Sequence, residues 1–367
     1  MSAFSAEAQG QRSLYFVNGW IDGLLIGGIS ILLFLAVKFA HLGEGTVNFA
    51  GLAAALVWVV NWPHFSATNY RLYQSRRNIR QYPFTAFLVP AIIAIAAVGS
   101  FESPDIVAPY FAKLFSIWSP YHFSAQTFGI SLIYARRSGF RIEKWERFGL
   151  AGFVYGCYLT ASSKAEVGNG TGSFYTIHYP ALGIPLWVTN VVEVSMYAFG
   201  FLFLLLVARR IFKTRKGIPL IVFLPAISQY IWFIYGATVP DFQVFVPLFH
   251  SLQYLLIAWS MQLHLRAGTR PVPSASRFVI TESARWGVVN FVGGALLFYL
   301  LPHFFGMLGW DLSFATAIIL AAVQIHHFFV DGVIWKLKDK SVSSPLMKNF
   351  SEIFARSFVP AEAETVS

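Results

Sequence analysis

Five histidines lie inside apolar stretches of this chain: His64, His122, His250 and the adjacent pair His326 and His327. Neutral imidazole holds transition metals without help from thiolate, and it can also ligate haem or relay a proton. Two carboxylates accompany them, Glu193 and Asp331. Asp331 comes four residues after His327, on the same face of a helix, while His326 is turned about 100° away from His327. Ionisable groups in an apolar run are costly unless they meet a partner or line a cavity. His64, His122, His250, His326, His327 and Glu193 are therefore the candidate metal ligands, and Glu193 and Asp331 the candidate catalytic groups.

The flanking residues extend this reading. Trp62-Pro63-His64-Phe65-Ser66-Ala67 and Trp118-Ser119-Pro120-Tyr121-His122-Phe123-Ser124-Ala125 share His-Phe-Ser-Ala after a Trp and a Pro. The prolines free backbone carbonyls and kink the helices beside the histidines. One turn on from three histidines stand Thr68, Gln126 and Gln253. These are candidates to fix the second ring nitrogen, as metal-bound imidazoles require. A threonine in a membrane helix also bonds its own backbone. Phe65, Phe123, Phe249 and Phe328 flank the histidines and predict an apolar pocket. A single membrane histidine is more commonly a hydrogen bond between helices. His264, His303, His41 and His178 fall at helix ends or in loops and read as interfacial, and Asp22 either caps a helix or faces the cavity.

The elements that must position these groups follow from composition. Of 367 residues 56% are hydrophobic and 12% charged, against about 25% charged in soluble domains, so most of the chain faces lipid or other helices. About ten runs are long enough for the roughly 20 residues a bilayer core needs, at 19–41, 47–73, 84–101, 109–135, 147–163, 182–209, 218–237, 242–265, 286–307 and 312–337. Basic residues follow every second run, among them Arg71, Arg136, Arg209, Arg266, Arg270 and Lys336; the alternate loops carry acids such as Glu44, Glu166, Asp241 and Asp311. This pattern turns the net charge of +10 into an orientation signal and not a nucleic-acid footprint, and it puts both termini in the cytoplasm.

The expected fold is thus an all-α polytopic membrane bundle over 1–340. A cytoplasmic tail over 341–367 carries an interfacial amphipathic helix through Leu346, Phe350, Ile353, Phe354 and Phe358. The first run is too long for a secretory signal and reads as a retained span. The loop at 164–181 is a candidate lid. Cys157 is the single cysteine, so no disulfide within the chain or thiolate cluster forms.

Counting back to the first basic residue at about 1.5 Å per residue places the five histidines and Glu193 at similar depth, on five parallel runs. Several histidines with a carboxylate, buried in lipid, suit an oxygen-activating iron centre acting on a hydrophobic substrate; copper and zinc fit the same donors. The H-x₃₋₄-H boxes of membrane desaturases are missing. Isolated histidines projecting from several spans, carried here by His64, His122, His250, His326 and His327, resemble the plan of bacterial membrane β-carotene dioxygenases. That resemblance implies iron and oxygen-dependent cleavage of a polyene. The Gly- and Asp-flanked histidine motifs of that family are not recognisable, so no residue roles transfer. The resulting expectation is a membrane oxygenase of the bacterial inner membrane, with lipid, a hydrophobic substrate and an electron-donor protein as partners. The alternatives are a protein binding haem non-covalently, since no C-x-x-C-H occurs, and a proton- or cation-coupled transporter.

Overall fold

The computed structural model describes residues 14–39, 48–268 and 274–356; His41, Glu44, Arg270 and Phe358 lie outside them. Each apolar run contains a helix: α1 Gly19–Phe39, α2 Phe49–Tyr73, α3 Phe84–Glu102, α4 Val107–Arg137, α5 Lys144–Ala165, α6 Leu186–Thr214, α7 Leu224–Tyr230, α8 Pro240–Ala267, α9 Ala275–Met307 and α10 Leu312–Ile334. Two short helices follow, α11 Lys340–Leu346 and α12 Phe350–Arg356. Seven helices are long and apolar enough to cross a membrane by length and composition: α1, α2, α3, α6, α8, α9 and α10. Among the described residues the helices are joined by one antiparallel hairpin, β1 Thr171–Phe174 with β2 Ile177–Pro180.

Several of the long helices are not uniform. Turns of π-helix occupy Val57–Asn61, Phe84–Leu88 and Leu296–Leu300, and each ends two residues before a proline: Pro63, Pro90 and Pro302. Proline has no N–H for the preceding turn and its ring crowds the carbonyl four residues back, so the ladder shifts to the wider turn. The extra residue rotates every side chain beyond it. His64 lies directly after the first of these turns.

Buried polar contacts close the basic end of the bundle. The Arg137 guanidinium donates to the carbonyls of Leu14 (3.0 Å), Tyr15 (2.6 Å), Leu346 (2.6 Å) and Lys348 (3.1 Å), so the segment before α1 and the segment after α10 meet there. Asp22 is neither a helix cap nor a cavity group: it accepts from the backbone N–H of Phe16 and Val17 and from the Tyr134 hydroxyl, pinning the chain before α1 to α4. Of the residues expected to form an interfacial helix, Leu346 and Ile353 are buried against the bundle. Val342 and Leu346 are buried beside Ile133 and Met261, and Ile353 beside Leu263 and Ala275. At the opposite end the expected lid is the hairpin, fastened to α4 through Tyr179 Oη and Ser116 Oγ at 2.9 Å and through a buried ion pair of Lys113 with Glu166.

Two close approaches set the helix spacing. A Cβ on Gly156 would lie 2.7 Å from the Cβ of Met196, so α5 and α6 pack backbone to backbone; one on Gly294 would lie 2.8 Å from the Trp62 backbone, two residues before His64. Small residues are the usual means by which membrane helices gain contact, because lipid supplies no hydrophobic drive between them. Gly156→Leu should destabilise the protein by about 1–3 kcal/mol through overpacking. Gly287→Leu, at an exposed glycine with nothing near its Cβ, should not. Thermal unfolding of the two variants in detergent checks this.

Candidate metal centre

His64 on α2, His122 on α4, His250 on α8 and His327 on α10 point to one spot in the core, all at most 6% exposed. One ligand-type nitrogen from each lies within 4.8 Å of every other. His327 Nε2 is 3.0 Å from both His64 Nε2 and His122 Nε2. The ring of His250 closes the group at 5.1 Å from His64 and 5.0 Å from His122, centroid to centroid.

Hydrogen bonding alone does not satisfy this arrangement. A neutral imidazole has one donor and one acceptor nitrogen. Among the described residues, both nitrogens of His250 and the Nδ1 atoms of His64 and His327 have no partner. Each such buried group costs about 1–3 kcal/mol. A shared cation would use the convergent Nε2 lone pairs of His64, His122 and His327 and one nitrogen of His250, while the Nδ1 atoms of His64 and His327, on the far side of their rings, would stay as they are. Two nitrogens bound at about 2.1 Å to one ion, at right angles, stand about 3.0 Å apart, as His327 does from His64 and from His122. The four histidines could hold a metal ion.

Asp331 lies beside them, its Oδ2 3.4 Å from His327 Nε2 and 3.7 Å from His122 Nε2. Its Oδ1 accepts from Trp335 Nε1 at 3.1 Å and from Thr68 Oγ1 at 3.2 Å. The Thr68 and Tyr254 hydroxyls are 2.5 Å apart. Thr68 has one proton, so when it donates to the carboxylate, Tyr254 must donate to Thr68. The carboxylate is thereby fixed by α2, α8 and its own helix. Aromatic rings brace the imidazoles. Phe123 stacks on His250 at 4.0 Å, Phe328 on His122 at 4.7 Å, and Phe65 stands edge-on to His327 at 4.9 Å. The repeated His-Phe pairs thus work in exchange, each Phe supporting a histidine from another helix.

Two predicted ligands stand elsewhere. His326 is half-buried on the other side of α10, with Nε2 3.4 Å from the Thr85 carbonyl and its ring stacked at 6.3 Å on Tyr73. Neighbours on a helix diverge by about 100°, so the pair cannot serve one centre. Glu193 points from α6 toward α5, where its Oε2 pairs with Lys164 Nζ at 2.9 Å. Its depth in the sequence was right for a ligand, but its direction was not.

The expected second-nitrogen partners are also engaged otherwise. Gln126 Nε2 donates to the His250 carbonyl (2.9 Å), Gln253 Nε2 to the Ile26 carbonyl (2.5 Å), and Thr68 to the Asp331 network. Of the interfacial histidines, His303 is bonded to the Tyr299 carbonyl at 2.7 Å and His178 is exposed, whereas His264 is buried. Sequence reasoning missed Tyr254 and Trp335. The spacing Gln324, His327, Asp331, Trp335 is the signal that could have found one of them, since it traces a single polar stripe along α10 that includes His327 and omits His326.

Comparison of the chain with family models, with curated proteins and with solved structures found no match. The site therefore stands on its own geometry.

A cavity of about 290 Å³ adjoins it, bounded by α4, α8 and α10. His122, Asp331 and Tyr254 form one end, and Ile133, Lys336 and Leu337 lie toward the basic end. Between them the wall is largely apolar, with Trp118, Ile130, Ile257 and Phe328.

Metal analysis of purified variants checks the ligand set. His122→Ala and His327→Ala should each lose the bound metal, while His326→Ala and His303→Ala should keep it. Asp331→Asn, which retains the shape but removes the negative charge beside the two Nε2 atoms that would bind the ion, should lower metal affinity about 10–100-fold. Equal metal content in all five proteins would disprove the assignment.

Proposed function

We propose that this chain is a membrane metalloenzyme that oxidises or cleaves a hydrophobic lipid or polyene substrate with molecular oxygen, using iron held by His64, His122, His250 and His327. The observation that carries this reading is the junction of the four buried imidazoles with an apolar cavity reaching His122 and Asp331. A structural metal site would be closed on all sides. Here one histidine and the neighbouring carboxylate also face open space large enough for part of a chain-like molecule. Iron is preferred to copper or zinc because a nitrogen-rich set with an adjacent carboxylate and an accessible side suits oxygen chemistry. Iron bound there would supply oxygen activation.

The protein's own groups supply the rest. Trp118, Ile130, Ile257 and Phe328 exclude water and hold an apolar chain against the polar end of the cavity. Asp331, linked through Thr68 to Tyr254, keeps the His122 and His327 rings in place and provides a site to hold a proton next to the substrate. In the full reading all ten apolar runs cross the bacterial inner membrane. The basic loops and both ends then face the cytoplasm, as the charge pattern favours. An electron-donor protein is needed if the reaction is a monooxygenation. The histidine arrangement and lipid-facing composition keep the resemblance to the β-carotene dioxygenases as the working family hypothesis.

Two other functions are less well supported. Non-covalent haem between axial imidazoles needs a planar slot, and ring centroids 4.5–5.1 Å apart fill that space with imidazole. An ion pathway needs polar walls, whereas the cavity leading to Asp331 is mainly apolar.

Gly129 separates binding from turnover. It lines the cavity, and a Cβ there meets nothing within 4 Å. Gly129→Phe should therefore fill the cavity and leave the histidines intact. We expect normal iron content and an oxygen-dependent rate of polyene or unsaturated-lipid loss reduced about 100-fold, the scale of a misplaced substrate. Wild-type protein with full iron that consumes no oxygen with any such substrate would rule out the oxygenase reading.

A further inference from the structure

A second cavity, of about 360 Å³, opens at the basic end between the last turn of α2 and the residues after it, the final turns of α8 and α10, and the start of α11. It is lined by Arg71, Arg77 and Arg266 with Gln74, Asn78 and Ser341, and by no aspartate or glutamate. Arg266 is already engaged, with Nε 3.6 Å from Glu282 and Nη2 3.1 Å from the Tyr70 hydroxyl. Arg71 differs. Its Nη2 donates to the Ile334 carbonyl at 2.9 Å, its Nη1 to Met261 Sδ at 2.5 Å, and its guanidinium lies 3.9 Å above the Trp335 ring. Among the described residues, no ion pair joins Arg71 or Arg77 to a carboxylate.

A guanidinium that lines a polar cavity, is stacked on an aromatic face and has no carboxylate partner is suited to receive an anion. Of the lining amides, Asn78 Nδ2 donates to the Arg71 carbonyl and Gln81 Nε2 to Asp339 Oδ2, both at 2.8 Å, while Arg77 stands at the exposed rim. We propose that this cavity binds a phosphate-bearing anion, with Arg71 and Arg77 as its charged contacts. The volume suits a phosphate group or a lipid headgroup and not a folded partner. The site is also coupled to the histidines by contact. Arg71 rests on Trp335, Trp335 Nε1 bonds Asp331, and Asp331 lies beside His327 and His122. An anion that draws Arg71 toward the cavity loosens its stacking on Trp335 and so changes the support of that carboxylate.

The test uses the full-length purified protein and no turnover, so its outcome is independent of the oxygenase reading. Calorimetric titration in uncharged detergent measures binding of inorganic pyrophosphate. Native mass spectrometry after exchange into phosphatidylglycerol or phosphatidylcholine measures a retained headgroup. One equivalent of pyrophosphate identifies a soluble phosphate as the ligand, and retention of phosphatidylglycerol alone identifies a lipid. In either case Arg77→Gln should weaken binding about tenfold, the worth of one charge-assisted hydrogen bond. Arg71→Gln should abolish it, and Arg215→Gln, at an exposed residue outside the cavity, should leave it unchanged. Should Arg71→Gln misfold, Arg77→Gln at the rim still decides. Failure of wild-type protein to bind either ligand, no loss in Arg77→Gln, or an equal loss in Arg215→Gln would overturn the proposal.

Discussion

Four imidazoles drawn to one point in an apolar core are the constraint on which the rest of the bundle depends. Each comes from a different helix, and several of their nitrogens find no hydrogen-bond partner among the described residues. Left so, they would subtract several kcal/mol from a structure whose total stability is about 5–15 kcal/mol. Bound to a shared cation, the same four groups would cross-link α2, α4, α8 and α10. The phenylalanines that stack on these rings, and the carboxylate that approaches two of them, are arranged around that junction and have little reason to be there otherwise. Packing elsewhere serves to bring the helices to the required distance. Gly294 lets α9 press against Trp62 at the turn that presents His64, and Ser124, one turn beyond Pro120, returns its hydroxyl to that carbonyl.

Function grows from the asymmetry around the junction. On one side the imidazoles are sealed by Phe65 and Phe123; on the other, His122 and Asp331 meet the cavity. Asp331 is central to this asymmetry. It faces the histidines with one oxygen and uses the other to join α2 and α8 through Thr68 and Tyr254, and the basic end through Trp335. A single carboxylate thus connects the apolar cavity, the four histidines and the arginine-lined surface.

The sequence made depth legible and left direction hidden. Each apolar run holds a helix, and seven of those helices are long and apolar enough to cross a membrane, because bilayer thickness acts on one dimension. Counting residues to the first basic residue placed His64, His122, His250 and the His326-His327 pair at one level, and the structure groups His64, His122, His250 and His327. The same count admitted Glu193 and His326, since it contains no angle about the helix axis. For α10 the angle was available in the stripe from Gln324 to Trp335. For α2 it was not, because the π turn before Pro63 shifts the face of every later residue. The partners of Thr68, Gln126 and Gln253 were equally illegible, being set by contacts between segments far apart in the chain. The tail held the right apolar spacing, but the surface that receives Leu346 and Ile353 is made by α4, α8 and α9 and leaves no local trace.

The position of His327 on α10 has a consequence for how the protein is made. Synthesis proceeds from the N-terminus, so His64, His122 and His250 enter the membrane while the group that touches two of them is still to be translated. Until then three helices carry imidazoles with an incomplete set of neighbours, and the cavity lacks the wall formed by Phe328 and Asp331. Insertion of the final long helix supplies the ligand, the carboxylate and that wall in one event. The segment after it then reaches the Arg137 carbonyl bonds that also hold the residues before α1. A nascent chain truncated anywhere before α10 is therefore not a smaller version of the protein but one without the four-histidine group.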